Sequence, residues 1–201
     1  MTSPKSKQRC LDDLAKEIVE QNICADLAKQ ATQLVMGSGN PDADIVFIGE
    51  APGKKEDEQG LPFIGRSGQL LDTMLESIQL KRSQIYITNI VKYRPPDNRD
   101  PLVVEKEAFA PYLERQLEII DPKIVVTLGR HSGEFLLPDL KISRDHGEPK
   151  RLEWGAKNRP LIVLPLYHPA AALYNGGMRE TLMFDFAKIP IIIKKISIKG
   201  K

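Results

Sequence analysis

Four short apolar runs separated by stretches of helical period constrain this chain more than any other feature. They are Ile45-Val46-Phe47-Ile48, Ile85 to Val91, Ile124 to Leu128 and Leu161 to Leu166. Runs of this length, rich in β-branched residues and bounded by Gly, Pro and Asp, read as buried strands. Strand followed by helix, four times over, predicts an α/β fold: a three-layer α/β/α sandwich with a central four-stranded parallel sheet. Parallel strands bring their carboxyl ends to one edge, where open α/β sheets place their ligands.

The rest of the chain fits around that frame. Residues 9–36 carry apolar positions at helical spacing, so residues 1–36 read as an N-terminal helical extension of one or two amphipathic helices. After Ile48 comes Gly49-Glu50-Ala51-Pro52-Gly53, then a charged loop over 54–60, and helical spacing resumes over 69–78. Residues 94–101 hold three prolines and read as an extended loop; 102–120 and 130–137 read as helices. Trp154 and nearby glycines hint at a hairpin within 138–160. Residues 170–188 look helical with a break at Gly176-Gly177, and the basic tail 189–201 reads as an edge strand or a loose end. A length of 201 residues suits a single domain, 1–201.

Composition narrows the function less. The net charge is +2, with 41% hydrophobic and 28% charged residues, so no strong overall field points to a polyanion. Local charge is more suggestive. Lys92, Arg94 and Arg99 gather in one segment, Arg144, Lys150 and Arg151 in another, and the last fourteen residues hold five lysines and no acid. No apolar run reaches the roughly 20 residues of a membrane span, and the N-terminus lacks the apolar core of a signal peptide. An intracellular protein of the cytoplasm or nucleoid is expected, with no membrane partner. Two cysteines, Cys10 and Cys24, are too few and too far apart for a metal site of their own.

Three strand ends carry polar residues that a buried strand does not need: Glu50, Asn89 and His168. Together with their neighbours they resemble a known family. Gly49-Glu50-Ala51-Pro52-Gly53 with Glu56, Phe63, Gly65 and Gly68 is similar to the first motif of family 4 uracil-DNA glycosylases. Thr88-Asn89-Ile90-Val91-Lys92 with Arg94-Pro95-Pro96 resembles the second segment, and His168-Pro169-Ala170-Ala171-Ala172-Leu173 the third. The resemblance spans roughly residues 37–187.

It implies a monomeric enzyme that hydrolyses the N-glycosidic bond of flipped-out deoxyuridine in DNA, leaving an abasic site for base excision repair. Such an enzyme reads the extruded base on its pairing edge and by stacking. By resemblance, Phe63 stacks on uracil, Asn89 pairs with its O4 and N3, and His168 donates to O2 as the base departs. Glu50 stands beside the catalytic water, next to Ala51, where a related family carries an aspartate. Glu56 crowds the position of thymine's methyl, a task given to a tyrosine at the place of Gly53 in that related family. Ala172 and Leu173 lie on a loop that wedges into the emptied stack, Leu173 being favoured, and Arg94 and Arg99 are candidates for backbone contacts. His131 and His146 match no motif and are expected at the surface.

The likeness fails at one point. Family 4 enzymes usually hold a [4Fe-4S] cluster on four cysteines, but two of those positions here are Tyr93 and Phe109, and only Cys24 lies near a third. Four thiolates cannot be assembled, so no iron-sulfur cluster and no other metal is expected. Tyr93 and Phe109 are expected to fill the space with apolar area. The rival reading is a catalytically quiet uracil- or DNA-binding repair protein of the same fold. A generic nucleotide-binding module is disfavoured because the first loop carries no GxGxxG or Walker pattern.

Overall fold

The computed structural model describes residues 4–155 and 158–199. In chain order the helices and strands are α1 (Pro4–Glu20), α2 (Ala25–Ala28), β1 (Ser38–Gly39), β2 (Ile45–Gly49), α3 (Lys54–Gln59), α4 (Arg66–Ser77), β3 (Tyr86–Asn89) and α5 (Val103–Ile120). Then follow β4 (Ile124–Leu128), α6 (Arg130–Leu136), α7 (Ile142–Asp145), β5 (Lys150–Trp154), β6 (Arg159–Leu166), α8 (Pro169–Ala172), α9 (Gly176–Phe186) and α10 (Lys188–Lys199).

The sheet has six strands in the order β1-β3-β2-β4-β6-β5 and is mixed. β3, β2, β4 and β6 pair in parallel, while β1 and β5 add antiparallel at the two edges. The expected four-stranded sheet was therefore too small. Its flanking strands escape a search for apolar runs for a physical reason: β1 is two residues long, and no residue of β5 is buried. Edge strands with one solvated side carry no continuous apolar signal. The hairpin hinted at by Trp154 is β5–β6; residues 156–157 at its turn lie outside the described residues.

Alternate residues along the central strands face two separate cores. Val46, Ile48, Val125 and Val163 meet Leu11, Leu14 and Ile18 of α1 and Phe109, Leu113 and Leu117 of α5. Ile45, Phe47, Ile124, Val126 and Leu164 meet Leu70, Leu71 and Met74 of α4, Phe186 of α9 and Ile189 of α10. Every residue of β2 and β4 is buried, as strands covered on both faces require. Two local expectations change. The charged loop after Gly53 contains a short helix, α3, and the basic tail is helical from Lys188 to Lys199, with Ile189 buried. Ile189, Ile192 and Ile193 sit at helical spacing and pack as one face against the core that α9 shares; residues 200 and 201 lie outside the described residues. No helix among the described residues is long and apolar enough to cross a membrane.

Candidate active site

The carboxyl ends of β2, β3 and β6 meet, and a loop between β2 and α4 closes over them. Gly49 ends β2 opposite Asn89 at the end of β3. A β-carbon placed on Gly49 would lie 2.4 Å from Asn89 Oδ1 and 2.5 Å from Cζ of Phe63, so both side chains occupy the space in front of that glycine. The Phe63 ring lies 5.7 Å from the His168 ring, centroid to centroid. Residues from three strand ends and one loop thus converge although 119 positions separate the first, Gly49, from His168.

Asn89 is 1% exposed, and its Oδ1 is buried without a hydrogen-bond partner. An unpaired buried acceptor costs about 1–3 kcal/mol, so one aimed at a site is a place where a donor is missing. The backbone of Asn89 is braced from below. Lys92 is fully buried and its Nζ donates to Asn89 C=O at 2.8 Å, Thr88 Oγ1 at 2.6 Å and Gln116 Oε1 at 2.7 Å. Three acceptors match the three hydrogens of an ammonium group, while burial pushes its pKa down to about 7. Lys92 is therefore a core residue supporting the site, not part of a basic rim.

His168 caps the start of α8, with Pro169 at the first helical position. Proline suits that position because its missing N–H has no partner there anyway. Ala170 N donates to His168 Nδ1 at 3.1 Å. That nitrogen must be bare, so the hydrogen sits on Nε2. Burial pushes the pKa down to about 4. At neutral pH the ring is a neutral donor through Nε2.

Phe63 is held in an unusual backbone conformation, φ 53°. A left-handed aromatic costs on the order of 1–3 kcal/mol and persists only when its surroundings impose it. Arg82 donates to Pro62 C=O at 3.2 Å and to Phe63 C=O, while its Nε pairs with Asp72 at 2.6 Å. Gly68 lies so close beneath that a β-carbon there would overlap Phe63 O at 1.8 Å. Glu56 ties the same loop: its Oε1 accepts from Ile64 N at 2.9 Å and Gly65 N at 2.7 Å, ahead of α4. Its other oxygen lies 2.8 Å from where a Gly53 side chain would begin, so Glu56 fills that space. Asp57 in turn accepts from Thr32 N at 2.9 Å and Thr32 Oγ1 at 2.8 Å, anchoring α3 to the N-terminal segment.

Glu50 lies just past β2, half-buried, and desolvation raises its pKa. Beside it are His131, with Nε2 3.9 Å from Glu50 Oε1, and Asp100, 3.1 Å from that same nitrogen. These donor atoms lie within 4.8 Å of one another, but an Arg130 guanidinium nitrogen 3.2 Å from His131 Nε2 already puts a cation there. His131 is thus no surface histidine: its side chain is 15% exposed and its Nδ1 is buried. His146 is likewise built in, 2.6 Å from Asp185 and with its ring tilted against Tyr167, centroids 4.6 Å apart.

The remaining sequence candidates are less central. Arg99 is engaged with Glu105 through both guanidinium nitrogens, Arg94 donates to Asn98 at 2.8 Å, and Arg144 and Lys150 both face Asp145. Glu105 and Asp145 thus offset part of the charge of these basic clusters, while Arg94 meets only a neutral amide. Ala172 is 4% exposed and Leu173 packs partly on the core, whereas the next residue, Tyr174, is 79% exposed and lies against Arg66. Tyr93 and Phe109 meet edge to face at 5.9 Å within the core shared with α1 and α2, and Cys24 packs against the same cluster. Cys10 is exposed on α1.

The family model of the uracil DNA glycosylase superfamily matches residues 36–188. The chain belongs to that superfamily. A type-4 uracil-DNA glycosylase from Archaeoglobus fulgidus is 49% identical over 185 residues, covering 89% of this chain and 91% of that one. Another from Sulfurisphaera tokodaii is 46% identical over 185 residues, 89% of this chain and 83% of the relative. A third, from Thermotoga maritima, is 37% identical over 188 residues, 92% and 96% of the two chains. Lys92 and His131 are named in the sequence without a supporting role, and Asp57, Arg82 and Asp100 also lie next to the site without having been assigned one. A charged residue inside an otherwise apolar stretch, such as Lys92 after Ile90-Val91, was the one signal available.

Proposed function

We propose that this protein is a uracil-DNA glycosylase, cleaving the bond between uracil and deoxyribose in DNA for base excision repair. The observation that carries the proposal is the buried, unpartnered Asn89 Oδ1 standing beside Phe63 and His168. Uracil carries the matching groups. Its N3–H donates to Oδ1, its O4 accepts from the Asn89 amide, and its face stacks on Phe63. Cytosine presents a bare N3 and a donor at C4, the reverse pattern, and is refused. Glu56, filling the space before Gly53, meets the methyl of thymine.

As the N1–C1′ bond breaks, its electron pair leaves with uracil and positive charge builds on the sugar. His168 Nε2–H donates to uracil O2 and holds the developing anion, a contribution of about 2.7–4 kcal/mol for one well-placed donor. A neutral imidazole suits this task because it carries no charge that must be desolvated before the reaction. Glu50, half-buried, favours the cationic sugar and orients the water whose oxygen joins C1′; the released proton passes to the carboxylate or to solvent. Ala51 beside it offers no group to share that work.

The family's cluster does not fit the residues present. Tyr93 and Phe109 occupy two ligand positions as packed aromatics, and Cys10 points to solvent while Cys24 packs inward. The protein works without iron, its N-terminal helices docked by apolar packing. Stoichiometric iron with visible charge-transfer absorbance in an oxygen-protected sample would refute this. We further place the protein inside the cell as a monomer, with Leu173 or the exposed Tyr174 beside it entering the duplex gap, and with Arg94 and Arg99 at the rim of the DNA path. The test of the whole reading is a single-uracil oligonucleotide, incubated with the protein and then treated with alkali. Strand cleavage at uracil, lost in His168→Ala and Asn89→Ala, is expected; no cleavage at high protein concentration leaves the quiet binding protein.

A further inference from the structure

We propose that His131 and Asp100 are a positioning pair for Glu50, an imidazole set between two carboxylates that orients Glu50 and tunes its charge beside the reacting sugar. The proposal rests on the role given to Glu50 above and adds residues from two further elements. α6, which starts directly after β4, carries His131 to the edge where β2 ends, and the loop ahead of α5 brings in Asp100. His131 Nε2 stands 3.1 Å from Asp100 Oδ2 and 3.9 Å from Glu50 Oε1. A carboxylate can only accept and a guanidinium can only donate, so His131 Nε2, which also lies 3.2 Å from an Arg130 nitrogen, bonds Asp100 in the tautomer that carries its hydrogen there and Arg130 in the other. The other nitrogen is buried without a partner. Holding a polar ring in that way is unfavourable unless its exposed edge is used.

The charges around Glu50 give the pair opposite effects. Desolvation raises the Glu50 pKa most; His131 opposes that rise, Asp100 adds to it, and Lys106 of α5 and Arg130 of α6 oppose it. Asp100 is largely exposed, so solvent screens its part. Removing the imidazole should leave Glu50 protonated to higher pH; removing the Asp100 charge should do the reverse. A merely structural contact would slow the enzyme without moving its pH dependence in two directions.

The experiment is the pH profile of kcat/KM on single-uracil DNA for wild type, Glu50→Gln, His131→Gln, His131→Ala and Asp100→Asn, with inhibition by free uracil as a control for the base pocket. We expect the acid limb to move up by roughly half a pH unit or more in both His131 variants and down in Asp100→Asn, as for an opposite and a like charge at this range. Inhibition by uracil should stay within about threefold. Limbs that do not move, or that move the same way in both substitutions, overturn the pairing. Should His131→Ala fail to fold, Asp100→Asn, at an exposed position, still decides the sign. Wild-type protein without uracil excision, or Glu50→Gln as fast as wild type, refutes the role of Glu50 itself and the pair with it.

Discussion

Gly49→Ala is the sharpest probe of the site, because it changes no candidate group yet displaces two of them. The added methyl carbon would lie 2.4 Å from Asn89 Oδ1 and 2.5 and 2.6 Å from two carbons of Phe63. Ordinary contact begins near 3.4 Å, so each neighbour must retreat by about 1 Å or the strand end must shift by as much. Neither neighbour can give easily. Asn89 is tied through its backbone to Lys92 and Gly49, and Phe63 is locked between Arg82 and Gly68. Overpacking of this kind costs about 1–3 kcal/mol of stability, and a misplacement of about 1 Å in a reacting geometry costs on the order of 100-fold in rate. Single-turnover excision from a uracil oligonucleotide, measured beside thermal unfolding, separates the two effects. A folded Gly49→Ala protein should be slowed by roughly 100-fold, as that misplacement implies. Activity within about threefold of wild type, with the protein folded, would show that uracil does not sit between Asn89 and Phe63.

Three further outcomes follow from the same geometry. His168→Ala should lower kcat by about 100- to 1,000-fold, the loss typical of one donor to a developing anion. In wild type His168 stays neutral down to about pH 4 while the unfolded chain binds its proton near the ordinary value of 6.5. Stability therefore falls as pH drops through that window, and the acid slope of Tm should be shallower in His168→Gln. Lys92→Met should blunt discrimination of uracil over cytosine by freeing the Asn89 carbonyl. Because Lys92 titrates near 7 when folded and 10.5 when unfolded, wild-type stability should rise with pH between those values, and denaturant titrations of the variant should lose that slope. Glu56→Gln keeps one acceptor for Ile64 N and Gly65 N, whereas Glu56→Ala loses both bonds and about 1.5–3 kcal/mol for each charge-assisted one. The alanine variant should also begin to remove thymine from a T·G oligonucleotide; a variant as stable and as selective as wild type would refute both roles.

The legible parts of the site are those whose chemistry depends on residue type. Asn89 and His168 stood out because a polar group at the end of a buried strand needs a reason, and the motifs around them were specific. The bracing residues were not legible. Asp57 and Arg82 resemble any surface charge until their partners are known, and those partners, Thr32 and Phe63, lie 25 and 19 positions away, beyond what the local pattern encodes. His131 matches no motif, and its position beside Glu50 arises from the β2–β4 pairing. The clusters of basic residues were legible only as counts, since a count of charges does not show that Lys92 is buried or that Arg99 is already paired.

By itself the sequence determined the four parallel strands, the helices between them, and the residue types at their carboxyl ends. Those are matters of apolar period and local turn chemistry, which act over a few residues. Tertiary structure alone decided the two polar edge strands, the helical tail, the burial of Lys92 and the left-handed Phe63. It also placed Phe63 against Gly49. The loop from Gly49 to Arg66 is held by Asp57 to Thr32, Glu56 to the amides ahead of α4, and Arg82 to the Phe63 carbonyl. The bonds of Asp57 to Thr32 and of Arg82 to Phe63 join segments 25 and 19 positions apart, because buried polar groups find their partners by proximity in space rather than along the chain.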